Sequence, residues 1–275
     1  MNKGKFDYET KLWGAGKVRL KPTYLGALRL SYCLEDLKGR RGKVLEAGCG
    51  GGGMAKSIKF YRPDLEVYGC DISKKAIMIA CRKPEGVKFL LGDIYNLPFK
   101  NESFDGVVSF DLLEHLEEPP KALKEVYRVL KPGGIFHSYV PCEGNLFTLH
   151  GILAVFGWQA KEKYGGHLQR FTRGQLKDIL KTAKLLVVKM RWSGHFFNQL
   201  VDIAYFNLLA LRGKNVPFSI ETYLEEAKPG FYRQGLKALK ATIAFISYAE
   251  SKFLSWLPGA GVHFLAIKKY EKTDN

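Results

Sequence analysis

From residue 43 to 141, short apolar runs alternate with segments of helical periodicity. Lys43–Ala47, Glu66–Cys70, Val87–Leu91, Phe104–Phe110 and Ile135–Val140 read as strands. Between them, Met54–Tyr61, Ser73–Cys81 and Pro119–Leu130 have helical spacing. Ser73 is a predicted N-cap, and Pro119 suits a first helical turn. Lys131-Pro132-Gly133-Gly134 stops the helix before it. Thr172–Thr182 predicts a further helix, Leu185–Trp192 a sixth strand and Val262–Lys268 a last one. Regular alternation of this kind calls for a largely parallel sheet with crossover helices on both faces.

The stretch between the sixth and last strands breaks the pattern. It is mostly helical and apolar, with two long segments, Phe196–Leu211 and Leu236–Leu257. Leu236, Leu239, Ile243, Ile246, Phe253 and Leu257 form a stripe at helical spacing. Connections in such folds are usually a few residues long, so an insertion of this size is expected to serve a function. The organisation predicted is an N-terminal helical cap (1–42), a sheet core (43–194), a helical insertion (195–261) and a final strand with a tail (262–275).

Composition narrows the setting. The five cysteines are odd in number and lack CxxC spacing, which fits a reducing compartment better than a disulfide framework. The longest uncharged run, Gly144–Ala160, is short and polar for a membrane span. A cytoplasmic location is expected, with attachment to a membrane surface left open. The net charge of +16 is unevenly spread. Residues 1–43 hold 11 basic and 4 acidic side chains, residues 44–140 hold 13 of each, and residues 141–275 hold 19 and 10. The excess thus lies outside the core and favours anionic partners such as nucleic acid, an anionic membrane face or an acidic substrate.

The chemistry concentrates at Glu46-Ala47-Gly48-Cys49-Gly50-Gly51-Gly52-Gly53. GxGxxG alone is a weak dinucleotide fingerprint. Glu46 ahead of the first glycine and an acidic loop at Gly92-Asp93, followed by Leu97-Pro98-Phe99, distinguish it. With Cys70-Asp71-Ile72-Ser73, Phe104-Asp105, Asp111-Leu112-Leu113-Glu114-His115-Leu116 and Leu130-Lys131-Pro132-Gly133-Gly134, five motifs stand in order. In them the sequence resembles the class I S-adenosylmethionine-dependent methyltransferases. The resemblance implies a seven-stranded Rossmann-like α/β sheet with S-adenosylmethionine as cofactor. It also implies roles. Gly48, Gly50 and Gly52 let the backbone approach the methionine moiety, and the helix N-terminus behind them faces its carboxylate. Glu46 reaches its ammonium, and Asp71 accepts the ribose hydroxyls. Ile72 and Ile94 sandwich the adenine, Asp93 accepts its amino group, and Ser109 and Phe110 line the crevice.

The acceptor is less defined. No NPPY-like element follows the fourth strand, where Ser109-Phe110-Asp111-Leu112 stands, so nucleic acid is disfavoured. Val140-Pro141-Cys142 lacks the partner Pro-Cys of cytosine C5 enzymes. The sequence is more similar to small-molecule methyltransferases, including the quinone-biosynthesis O-methyltransferase group. Arg19–Pro22, the Asp111/Glu114/His115 pattern, and Gly166-His167 with Phe171-Thr172 carry that similarity. It implies Asp111, His115 and His167 as catalytic candidates, a histidine being suited to act as base near neutral pH. On a helix, Asp111, Glu114 and His115 share one face and can bind a divalent cation, although no resident metal is expected. The insertion is read as a lid or as a lipid-facing helix pair, and both favour an apolar or lipid-linked acceptor. An RNA-modifying enzyme and a non-catalytic cofactor-binding module remain the alternatives.

Overall fold

The computed structural model describes residues 14–212 and 231–270. Residues 1–13 of the predicted cap, 213–230 of the insertion and 271–275 of the tail lie outside the described residues. Before the sheet comes α1 (Ala27–Asp36). Then β1 (Lys43–Ala47), α2 (Gly53–Tyr61), β2 (Glu66–Asp71), α3 (Lys74–Arg82) and β3 (Lys88–Leu91) follow. The second half of the core is β4 (Phe104–Phe110), α4 (Pro119–Val129), β5 (Leu130–Pro141), α5 (Leu149–Val155) and α6 (Arg173–Thr182). It ends on β6 (Leu185–Ser193), α7 (Phe196–Arg212), α8 (Phe231–Phe253) and β7 (Gly261–Lys268).

The seven strands pair in the order β3-β2-β1-β4-β5-β7-β6, with β7 antiparallel to both its neighbours. The chain runs outward from β1 to β3 and then returns to place β4 against the other side of β1. The loops after β1 and β4 therefore part, and a crevice opens at the carboxyl ends of those strands.

Local chemistry explains the element ends. Ser73 accepts the Ala76 N–H and so caps α3, while Thr172 and Gln175 form a reciprocal capping box on α6. β5 begins earlier than its sequence suggests. Leu130 takes extended geometry to pair with Phe104, which ends α4 at Val129 and draws the Lys131–Gly134 turn into the strand, with a register shift beside Gly106.

Both sheet faces are covered. Leu45, Phe104, Val107, Leu123, Val126, Phe136 and Phe264 pack on the α4/α6 side. Leu30, Leu37, Val44, Ile58, Val67 and Ile135 pack on the α1/α2 side. Each such side chain contributes about 1.5–3 kcal/mol by leaving water.

The insertion helices contact each other, and they reach the core through α5, β6 and α1. The predicted stripe on α8 is not its packing face. Leu239, Ile246, Phe253 and Leu257 are exposed, and Ala244 and Ser251 are buried instead. Small side chains let the helix approach the core closely and leave the bulky ones outside. Among the described residues no helix is long and apolar enough to cross a membrane.

Candidate functional site

The loop leaving β1 is bent by glycines in the left-handed region. Gly48 has φ of +73°, and a Cβ there would stand 2.8 Å from Leu112 Cδ1. Gly52 has φ of +79°, and a Cβ would stand 2.5 Å from the Phe89 ring. Any other side chain would close the space between this loop and the segment after β4. The Gly48 and Cys49 N–H groups donate to Cys70 O, and the Gly50 N–H donates to Asp71 Oδ2 at 2.8 Å. Asp71 Oδ1 accepts the Ser73 N–H at 2.9 Å. Each oxygen keeps a second lone pair for a ligand hydroxyl.

Glu46 sits at the back of the loop, 3% exposed, and its Oε2 has no hydrogen-bond partner. Burial, against a donated Ala55 N–H and with Asp71 adding repulsion, pushes its carboxyl up to about 8. An uncompensated buried acid is costly without a cation, so the site fits a ligand with an ammonium group. Asp93 Oδ1 accepts the Tyr95 N–H at 2.9 Å. Ile72 is exposed at the mouth of the crevice, and Ile94 is half-buried against the core.

Two expectations need correction. The Ser109 side chain does not line the crevice: it is 1% exposed, and its hydroxyl pairs with Ser138 of β5 at 2.8 Å inside the sheet. Its neighbour Phe110 is half-buried and tilts against His137. The N-terminus of α2 is also not open to an anion through its first residue. Gly53 N–H donates to Gly14 O at 2.7 Å, and a Cβ at Gly51 would meet Ala15, so residues 14–16 cross the loop.

Beyond β4, Asp111, Glu114 and His115 do not share a helix face. Asp111 has φ of +48°, and only Leu113–His115 form a single 3-10 turn. Asp111 turns to Arg29 of α1, 2.6 Å away, whose guanidinium stacks on Tyr139. His167 takes the place expected for Asp111. The Glu114 carbonyl accepts the Leu168 and Gln169 N–H groups, and this pins the segment beside the turn. The His115 and His167 rings meet edge-to-face at 5.1 Å. Candidate ligand atoms of Glu114, His115 and His167 all lie within 4.8 Å of one another, so these three, without Asp111, can hold a divalent cation.

Glu114 is fully buried, and neither carboxylate oxygen has a hydrogen-bond partner. Burial and then Asp111 push its carboxyl up to about 8. His115 Nδ1 lies 3.0 Å from Gly166 O, an arrangement that puts the proton on Nδ1. Burial and the adjacent His167 lower His115 to about 4. Burial opposes protonation of His167 too, but the charge and hydrogen bond of Glu143 overcome it and hold that ring above its usual value. Cys142 is buried, and burial pushes its thiol well up, which leaves no thiolate for nucleophilic work.

Sequence reasoning missed Arg29, Glu143, Lys161 and Asp202. Two of them carried a signal. Glu143 follows the carboxyl end of β5, where crevice residues gather. Asp202 is the lone acid in an apolar helix.

The strand order with a final antiparallel β7 and the acidic glycine crevice define a Rossmann-like cofactor-binding methyltransferase fold. Residues 45–138 match the family model for a methyltransferase domain. A ubiquinone biosynthesis O-methyltransferase from Alkalilimnicola ehrlichii is 34% identical over 47% of this chain and 55% of its own. A demethylmenaquinone methyltransferase from Paenarthrobacter aurescens is 37% identical over 38% and 44%. The chain spans about half the length of the curated relatives it matches. The crystal structure of a methyltransferase-like protein from Bacillus halodurans superposes with a TM-score of 0.58 at 19% identity, over 88% of this chain and 99% of that one. Residues 45–138 thus carry a methyltransferase domain, and the fold is that of the class I S-adenosylmethionine-dependent methyltransferases.

Proposed function

We propose that this protein transfers a methyl group from S-adenosylmethionine to an oxygen of a small, apolar or lipid-linked acceptor. The observation that carries this reading is the half-buried pair His115 and His167, set beside the buried, unpartnered carboxyl of Glu114. In the cofactor half, Glu46 takes the ammonium, Asp71 the ribose hydroxyls and Asp93 the adenine amino group. The glycine loop lets the methionine moiety approach, and Ile72 and Ile94 flank the base. Bound S-adenosylmethionine supplies an electrophilic methyl on a sulfonium leaving group. The acceptor oxygen forms the new bond to that carbon as the carbon–sulfur bond breaks, and the hydroxyl proton passes to a histidine. His115 is neutral at neutral pH and able to accept it, whereas His167, which Glu143 holds above its usual value, orients the acceptor. Alignment of acceptor and methyl supplies much of the acceleration, about 7–11 kcal/mol in favourable systems.

The insertion supports the apolar character of the acceptor. Phe196, Leu200 and Leu211 on α7, and Phe245, Phe253 and Trp256 on or just after α8, are exposed. So large an apolar surface beside a basic half of the chain suits an anionic membrane face, from which a lipid-linked acceptor would be drawn. A comparison of apolar extracts from cells with and without the protein tests the reading. A species lighter by one methyl should accumulate in its absence, and purified protein with S-adenosylmethionine should convert it. Unchanged extracts would overturn the apolar-acceptor reading.

A further inference from the structure

His167 stands at the end of a run of paired charges, buried at Glu143 and Lys161 and half-buried at Asp202, that starts in the insertion. Glu143, just past β5, is 4% exposed, and its Oε2 lies 3.2 Å from His167 Nδ1. Its Oε1 is paired with the ammonium of Lys161, in the short π-helical turn Lys161–Gly165. Lys161 is paired in turn with Asp202 of α7. Asp202 Oδ2 is 3.1 Å from His150 Nε2, and His150 Nδ1 is 3.3 Å from Gln199 Oε1, also on α7. Burial alone would raise Glu143 and Asp202 and lower Lys161, yet their mutual charges keep all three ionised. A charge removed from water is tolerated only when matched, so each member depends on the next.

We propose that Glu143 is a positioning residue for His167, and that the Lys161–Asp202 pair latches α7 onto it, so that the insertion sets the ring's orientation as well as covering the acceptor. This rests on the reading that His115 and His167 face the acceptor. A carboxylate on Nδ1 fixes one tautomer and one ring orientation, leaving Nε2 as the nitrogen that can face a substrate. Lys161 balances the charge of Glu143 and transmits its position to α7. Nothing in the cofactor half takes part, so the device acts on turnover and leaves S-adenosylmethionine binding alone.

The test uses full-length protein, radiolabelled S-adenosylmethionine at saturation and, as acceptor source, the apolar extract of cells lacking the protein. Glu143→Gln is expected to lose about 10–100-fold in rate, the range for partners that orient a functional histidine. Its calorimetric affinity for S-adenosylmethionine is expected to be unchanged. Introduced on a His167→Ala background, the same substitution should cost nothing further, since residues acting through one another are non-additive. Asp202→Asn is expected to lose less, to show the same non-additivity, and to speed hydrogen exchange in α7. If Glu143→Gln melts below the assay temperature, Asp202→Asn carries the comparison, because that carboxylate does not touch His167. Equal losses in both backgrounds would mean a merely structural role and overturn the proposal. So would an unimpaired Glu143→Gln beside an impaired His167→Ala. A wild-type rate in His167→Ala would instead remove the reading beneath it.

Discussion

The N–H of Gly50 and the carboxylate of Asp71, 2.8 Å apart, tie the glycine loop after β1 to the end of β2. One acid thus shapes the loop and, in the reading above, holds the ribose. Asp71→Ala should cost charge-assisted hydrogen bonds worth about 1.5–3 kcal/mol, or roughly ten- to hundredfold in cofactor affinity. Titration calorimetry with S-adenosylmethionine checks this, and unchanged affinity would take Asp71 off the ribose.

Glu46 predicts a pH dependence. Its folded value of about 8 lies above the unfolded value of 4.5, so between them the native state binds the extra proton. Stability therefore falls as pH rises through that window and levels off above it. Cofactor binding has the opposite sign. An ammonium ligand needs the carboxylate, so affinity should rise toward pH 8, with about one proton released per binding event near pH 7. Calorimetry in buffers of different ionisation enthalpy reads that proton. Glu46→Gln should release none and should bind more weakly, and a proton count unaltered by the substitution would move the linkage elsewhere.

His115→Ala should lower turnover by roughly 10²–10⁴-fold, the usual contribution of positioned proton transfer, and His167→Ala by roughly 10–100-fold as an orienting residue. Cofactor affinity should be unaltered in both. Chelator treatment should leave the wild-type rate intact. A loss that one divalent ion restores would instead make Glu114, His115 and His167 its ligands.

Stability has its own buried charge cluster, away from the crevice. Asp36 of α1 accepts from Arg191 of β6 at 2.6 Å and sits 2.8 Å from His137 Nδ1 of β5. Asp36→Ala strands a buried guanidinium and should cost about 3–5 kcal/mol, measured by denaturant unfolding. A change below about 1 kcal/mol would mean that water or Glu35, 3.1 Å from Arg191, takes over the charge.

The periodicity of the core was legible because each strand there is apolar between turn residues, and the predicted strands fall within about one residue of their observed bounds except β5, which starts at Leu130 and not at Ile135. The glycine loop and its acids were legible for the same reason: they sit at strand ends, where sequence position sets spatial position. The acceptor side was not. Asp111 leaves the helical region at a positive φ, so the i, i+3, i+4 spacing placed it on a face that does not form. His167 joins the cluster through backbone hydrogen bonds from Leu168 and Gln169 to Glu114, which no local pattern encodes. On α8 the apolar stripe left lid packing and lipid contact both open, because packing chose the small residues Ala244 and Ser251 by a rule that periodicity does not carry.

That exposed stripe supports the last prediction. The segment from about Ser193 to Gly261 separates β6 from β7, yet the two strands pair along their whole length, from Leu185 with Lys268 to Ser193 with Gly261. The sheet therefore fixes β7 without help from the helices between. A variant with residues 195–259 replaced by a short Gly/Ser link should fold and bind S-adenosylmethionine, because Glu46, Asp71 and Asp93 all lie outside the segment. It should lose activity on apolar extracts, since α7 supplies Asp202 to Lys161. It should also lose sedimentation with anionic liposomes, which the full-length protein should show at low salt. Each basic residue near such a surface adds roughly 1 kcal/mol, screened as salt rises. Full-length protein that ignores the liposomes at low salt would leave the insertion as a lid only. A shortened protein with full activity would remove both roles.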